Sequence, residues 1–395
     1  MPPANWEIPM KNQVPFPTLL CLLLSALPVI ALLVPGVAAE VSGAAPRYQD
    51  GTEGPDGPVF VPVILSGVQS QPASEPAPMQ GIWLSAGEIN ALSTSGSAWN
   101  NVLDWADDSI TPNIADQNND ADAVAVAAAL VWVRTGENSY RSKAINYIEE
   151  AMGSEAGSGI LAVGRNVAGY VIAADLVGYQ SSTFSAWLDD VRYEVFSGAG
   201  PALSIISCHE ERPNNFGTHC GTSRIAIARY LGDQADLERA ARVFKGWLGD
   251  RSAYVGFSFG SDLSWQCNPD QPTPINLSGC SINGYPADGI LPDDQRRSGS
   301  FSWPPAKENY VWEALQGAIA QAWMLHRIGL PAFEWEQQAL LRATDWLHEQ
   351  AHFPAKGDDS ATPWLINAMY GSSFPTEPAT PGKNGLGFYN WTHSQ

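Results

Sequence analysis

Within the stretch RPNNFGTHCGTSRIAIARYLGD, residues 212–233, two amides, an imidazole and a guanidinium fall within about two helical turns of one another. They are Asn214 and Asn215, His219, and Arg224. An amide can share a hydrogen with a carboxylate, an imidazole near its free pKa can take a proton, and a guanidinium can hold an anion. Such a set suits chemistry on a carboxylated substrate. The structural alternative is equally definite: Asn214 or Asn215 caps the helix, and His219 is a core histidine. A second pair, Arg165 and Asn166, interrupts the apolar run GILAVGRNVAGYVIAADLVG. Neither is buried unpaired without cost, so they either pair with Asp175 or a neighbouring helix, or line a cleft. Basic charge also gathers locally at Arg212, and at Arg296 and Arg297 in DDQRRSGS.

Two further patterns carry possible metal chemistry. HEQAH, His348 to His352, fits the HExxH arrangement of zinc proteases, with two imidazoles at i and i+4 and Glu349 placed as a base. Against it, Pro354 ends the helix almost at once, no GxxH follows, and the distant third ligand would be Glu377 in a Pro-rich tail. The bland reading is a polar helix end where a protonated His favours the dipole. Asp288, Asp293 and Asp294 are acidic enough for Ca²⁺, but their spacing matches no known loop.

The elements that must position these residues are helical. Apolar periodicity predicts helices at about 85–106, 121–135, 139–152, 159–178, 183–196, 219–231 and 234–248. After residue 308 come ENYVWEALQGAIAQAWMLHRIG, AFEWEQQALLRATDWLHEQAH and a short helix near 363–370. Short connections imply antiparallel hairpins, and a long series of these around one core suggests an all-α helical toroid or solenoid. The exception is 251–307, which is rich in Pro, Gly, aromatics and charge, with no helical period. A loop this long inside a compact domain is usually functional.

Bulk properties narrow the partners. The 395 residues, 45% hydrophobic, can bury a large core. A net charge of −20 argues against nucleic acid or an anionic membrane as partner. Residues 1–39 read as an export signal: Lys11, an apolar run from Leu19 to Val37, then Ala38 and Ala39 before Glu40. Cleavage near Ala39 removes Cys21 and leaves a secreted or periplasmic chain with no membrane anchor. Residues 40–81 read as a Pro/Gly/Ser-rich lead-in, and 82–395 as the folded domain. Cys208, Cys220, Cys267 and Cys280 form an even set that allows three pairings. Pairing by proximity, Cys208 with Cys220 and Cys267 with Cys280, stabilises each short loop by roughly 3 kcal/mol in the chain-entropy model. Asn276 and Asn390 head formal N-glycosylation triplets.

Taken in order, TGENSYRSKAINYI, LAVGRNVAGYVIAADLVGY, RPNNFGTHCGTSRIAIARYLGD, DGILPDDQRRSG, ENYVWEAL and NWTH resemble the alginate lyase-like family of polysaccharide lyases over roughly residues 82–393. The resemblance implies an (α/α) toroid that cleaves uronic-acid polysaccharides by β-elimination. One group neutralises the sugar carboxylate, a base removes the acidified proton beside it, and an acid protonates the leaving glycosidic oxygen. By position, it implies Asn215 as carboxylate neutraliser, Arg297 as the substrate-holding Arg with Arg296 as alternative, and Tyr310 as the catalytic Tyr. His219 is the expected base. Asn214, Arg224, Arg165, Asn166, Arg296 and Trp303 are expected to contact substrate, Trp303 as a stacking platform beside Trp265 and Trp312. Neither a cofactor nor a metal is assigned.

The sequence departs from the family in two places. Phe216 stands where the best-known members carry a His after the paired Asn, and His219 lies one turn on, on the same side if the turn is helical. Tyr310 follows Arg297 by 13 residues rather than about seven, which leaves Tyr285 or Tyr254 as other holders of the role. Two alternatives therefore stand beside the lyase: a binding protein for acidic polysaccharides of the cell envelope that has lost the chemistry, and the HEQAH protease.

Overall fold

The computed structural model describes residues 79–377 and 386–394. The expected signal segment, and the lead-in up to residue 78, lie outside the described residues. Among those described, the chain is all-α apart from one hairpin of two-residue strands, Ser281–Ile282 with Tyr285–Pro286.

Four helices bury nearly their whole circumference, as apolar sequence on every face requires. They are α3 (Ala121–Thr135), α5 (Ile160–Leu176), α8 (Asn215–Leu231) and α11 (Tyr310–His326). In α5 only Leu161 escapes burial. From Asn215 to Arg229 of α8 only Phe216 does, and from Val311 to Leu325 of α11 only Glu313. α3 packs on α5, α5 on α8, and α8 on α11. Two glycines allow the close crossings. A Cβ on Gly164 would lie 2.9 Å from the Cys220 sulfur, and one on Gly317 would lie 2.6 Å from the Thr218 carbonyl carbon. Short polar side chains add fixed links across the same crossings. Ser223 donates to the Gly164 carbonyl (2.8 Å), and Thr222 to that of Gly317 (2.9 Å).

Around these lie α2 (Ser97–Asp107), α4 (Asn138–Ala151), α6 (Ser182–Val191), α7 (Ile205–Glu211) and α9 (Gln234–Trp247), each with an apolar and a solvent face. The one helix expected at 85–106 is two, α1 (Ala86–Ala91) and α2. Ser93 and Ser95 hydrogen-bond to each other between them, a local bonding mode that competes with the helix ladder. α7 was not expected; a capping box of Ser204 and Ser207 starts it. α8 begins a turn before the expected residue 219, because the Asn214 side chain accepts from the Phe216 N–H and caps it. The last stretch is α12 (Trp335–Asp345), a π-helical turn (Trp346–Gln350), α13 (Thr362–Tyr370) and a turn, α14 (Tyr389–Thr392).

Both disulfides pair by proximity, Cys208 with Cys220 and Cys267 with Cys280. The first ties α7 to the opening turns of α8. The second closes a loop in the irregular segment between α9 and α11, whose only helix is the single turn α10 (Pro292–Gln295), continued by a 3₁₀ turn at Arg296–Ser298. Among the described residues, no helix is long and apolar enough to cross a membrane.

Candidate active site

The first turn of α8 meets the α10 turn and the first turn of α11. Asn215 is fully buried there, its backbone N–H donating to Asp294 (3.2 Å) and its side-chain oxygen accepting from Arg297 (2.9 Å). The same guanidinium lies over the Tyr310 ring, 4.0 Å from its centre, a cation–π contact that fixes both groups. Tyr310 opens α11 and is 42% exposed, so it is the group of this cluster that solvent reaches most freely. The structure thus brings Asn215, Arg297 and Tyr310 together, although Arg297 and Tyr310 stand 13 residues apart in sequence.

Beneath Tyr310, one turn along α11, Glu313 forms an ion pair with Arg165 of α5 and lies 3.8 Å from Nε2 of His219. Arg165 therefore takes the neighbouring-helix partner. Asp175 instead accepts the N–H groups of Gln80 (2.6 Å) and Ile82 (2.8 Å). Burial pulls the Arg165 guanidinium down to about 10, against the opposing charges of Asp358 and Asp359. His219 is on the same side of α8 as Asn215 and is, like it, fully buried.

Asp294 is the most perturbed carboxyl of the cluster. Burial raises it from 3.8 to about 8, outweighing the charge of Arg297 and the hydrogen bond from the Asn215 N–H, both of which lower it. Arg297 stands 4.0 Å from it, a contact that is an ion pair only when Asp294 is ionised.

Other expected contacts are occupied elsewhere. Arg224 is buried on another face of α8, held by Glu210 of α7 (3.0 Å) and Asp236 of α9 (2.6 Å), so it is a clasp between helices. Asn166 donates to the carbonyls of Ile114 (3.2 Å) and Asp116 (2.9 Å) and pins the loop before α3. Asn214 caps α8 and donates to Asp293 (2.8 Å), which also holds Arg296 (2.7 Å). Trp303 stacks on Tyr285 (4.8 Å). Trp265 and Trp312 are core. Tyr254 spends its hydroxyl on the Glu210 carbonyl (2.7 Å), leaving Tyr310 as the tyrosine beside Asn215 and Arg297.

The metal patterns disperse. His348 lies in the π-helical turn with its ring stacked on Phe374 (4.8 Å), and His352 has left the helix at φ +47. Asp288 pairs with Arg342, Asp293 with Asn214 and Arg296, and Asp294 with Asn215. No group of three or more His, Cys, Asp or Glu suited to a metal occurs among the described residues. Asn276 is fully buried, its amide nitrogen donating to the Trp265 carbonyl, so it offers no nitrogen to a glycan.

Glu313 was not singled out from sequence, and Asp294 only as one of three acids considered for Ca²⁺. Glu313 was legible, since an acid three positions after Tyr310 in an otherwise apolar helix carries the same buried-charge signal as Arg165. The role of Asp294 was not, because its neighbour Asn215 is 79 residues away. No family model matches the chain, and no curated protein matches it.

Proposed function

We propose that this protein is a polysaccharide lyase that cleaves a uronic-acid-containing polymer by β-elimination. The observation that carries the reading is Arg297, bonded to Asn215 at 2.9 Å and lying 4.0 Å over the Tyr310 ring. The Arg297 guanidinium, oriented by the buried Asn215 amide, neutralises a sugar carboxylate, which acidifies the proton on the adjacent carbon. Tyr310, the exposed member, then transfers that proton as its phenolate: its oxygen removes it, a carbon–carbon double bond forms, the glycosidic bond breaks, and the resulting phenol gives the proton to the leaving oxygen. Glu313, with Arg165 and His219 behind it, forms the floor and positions the α11 turn that carries Tyr310.

An (α/α) toroid is the architecture we infer, and the order of packing supports it. The buried helices α3, α5, α8 and α11 are neighbours in sequence order, α11 continues to α13, α13 to α14, and α14 back to α2. Trp391 of α14 donates to the Ser93 carbonyl, joining the last turn to the first, and Trp323 of α11 donates to that of Trp83 (2.8 Å each). Two disulfides and the Lys11-to-Ala39 pattern support export.

The test is ultraviolet absorbance during incubation with alginate, polyglucuronate and mixed uronate polymers. The expected result is a rise from an unsaturated uronate, lost by 10³-fold or so in Tyr310→Phe, since one proton-transfer group contributes roughly 10²–10⁴-fold. Tyr310 is exposed, so the variant keeps its melting temperature. Full activity in Tyr310→Phe would remove this residue from the mechanism. No absorbance change on any polymer, with retained saccharide affinity, would favour the non-catalytic envelope protein.

A further inference from the structure

Phe216 and Leu161 are the residues of α8 and α5 that the packing leaves uncovered within otherwise buried stretches, and both face one cavity. Its volume is about 360 Å³, at the small end of the roughly 300–1,000 Å³ usual for small-ligand sites. Phe216 forms one wall and Leu161 and Ala162 another. Ala199 and Gly200 close a third side, with a Cβ on Gly200 only 3.3 Å from the Phe216 ring. The rim is polar: Asp116 and Gln117 are exposed, and the Asn166 side chain holds the Asp116 carbonyl, so this edge is fixed. Phe216 follows Asn215 of the candidate active site on α8, so the cavity lies about 100° further round the same helical turn.

The chemistry of the lining selects an occupant. An aromatic face with aliphatic walls accepts the C–H face of a pyranose ring, and a carboxylate and an amide at the rim accept its hydroxyls. No Lys or Arg lines the cavity, one Asp does, and the chain carries a net charge of −20. A uronate here would meet like charge with no counter-ion. We infer that this cavity is a saccharide subsite for a neutral pyranose, adjoining the point where the uronate carboxylate is held. Resting on the lyase reading, this makes the substrate a mixed polymer in which an uncharged sugar flanks the uronate, rather than a uronate homopolymer.

The two sites separate in a binding experiment that needs no turnover. Methyl β-glucopyranoside and methyl β-glucopyranosiduronate serve as probes, titrated by saturation-transfer NMR against the wild-type chain, Phe216→Ala and Arg297→Ala. Phe216→Ala should weaken the neutral glycoside about tenfold, as loss of a stacking face does, and leave the uronate unchanged. Arg297→Ala should do the reverse. Gln117→Lys, an exposed change that leaves the walls intact, should admit the uronate to the cavity and make part of its binding sensitive to Phe216. Neutral binding that survives Phe216→Ala, or that is absent in the wild type, overturns the subsite. Uronate binding indifferent to Arg297 overturns the lyase reading and leaves the subsite standing.

Discussion

The four buried helices and the irregular segment from Leu248 to Asn309 both supply the candidate active site, but they are held by different forces. α3, α5, α8 and α11 stand on apolar burial and close backbone approach, so Asn215, His219, Arg165 and Glu313 are fixed by the same packing that makes the core. The segment stands on specific polar anchors. Asn276 bonds the backbone of Trp265 (2.9 Å) and Cys267 (3.1 Å), Gln266 and Thr273 exchange two hydrogen bonds, and Trp265 donates to the Gly299 carbonyl (2.8 Å). These anchors carry Arg297 to Asn215. Packing tolerates exchange of one apolar residue for another of similar volume, whereas each anchor depends on a particular atom.

The contrast is sharpest at the α8–α11 crossing. In Gly317→Val the new side chain meets the Thr218 and His219 backbone at 2.6–2.8 Å, atoms that cannot swing aside. The helix-propensity gain over Gly is a few tenths of a kcal/mol. The overpacking cost reaches or exceeds about 3 kcal/mol, so the cost wins. The melting temperature should fall by roughly 5 °C or more, with helical signal and activity lost together. An unchanged melting curve would mean that the helices do not touch here.

Removing the staple of the segment should act locally. Cys267→Ser with Cys280→Ser opens a loop worth roughly 3 kcal/mol in the chain-entropy model. That cost falls on the segment, not on the helices, so the far-ultraviolet helix signal should persist while trypsin cuts faster at Arg296 and Arg297. Unaltered cleavage there, or collapse of the helix signal, would show that the two regions are not separately held.

This difference also explains what the sequence made legible. Periodicity located α3, α5, α9 and α11 because burial on a repeating face writes itself into the order of residues. It missed α7, started by one capping box, and the break at Ser93, because each depends on one or two side-chain bonds. Asn215, Arg297 and Tyr310 were picked by their residue types and by resemblance, and they meet. Arg224 was expected to contact substrate; its clasp was not foreseen, because its partners Glu210 and Asp236 sit on two other helices. A charge within an apolar run, as at Arg165 and Glu313, shows in the sequence, but which charges pair across helices does not.

A pH-dependent effect concerns the carboxyl at which the two regions touch. Asp294 belongs to the segment, yet it is buried against the first turn of α8, and burial raises it from 3.8 to about 8. The folded chain therefore keeps a proton between about pH 4 and pH 8 that the unfolded chain gives up. Stability supplied by this group is present at low pH and declines as pH rises through that window. Asp294→Asn keeps an oxygen for the Asn215 N–H but cannot ionise. Its melting temperature should change less between pH 5 and pH 8 than that of the wild type, and identical slopes would place the carboxyl in an ordinary environment. The same proton governs Arg297. While Asp294 is neutral, the guanidinium 4.0 Å away has its charge available for a substrate carboxylate; once Asp294 ionises, the two pair. On the proposed lyase reading, elimination should thus decline in the wild type above about pH 8, and Asp294→Asn should hold its rate further into alkali, which a pH profile of kcat/KM measures directly.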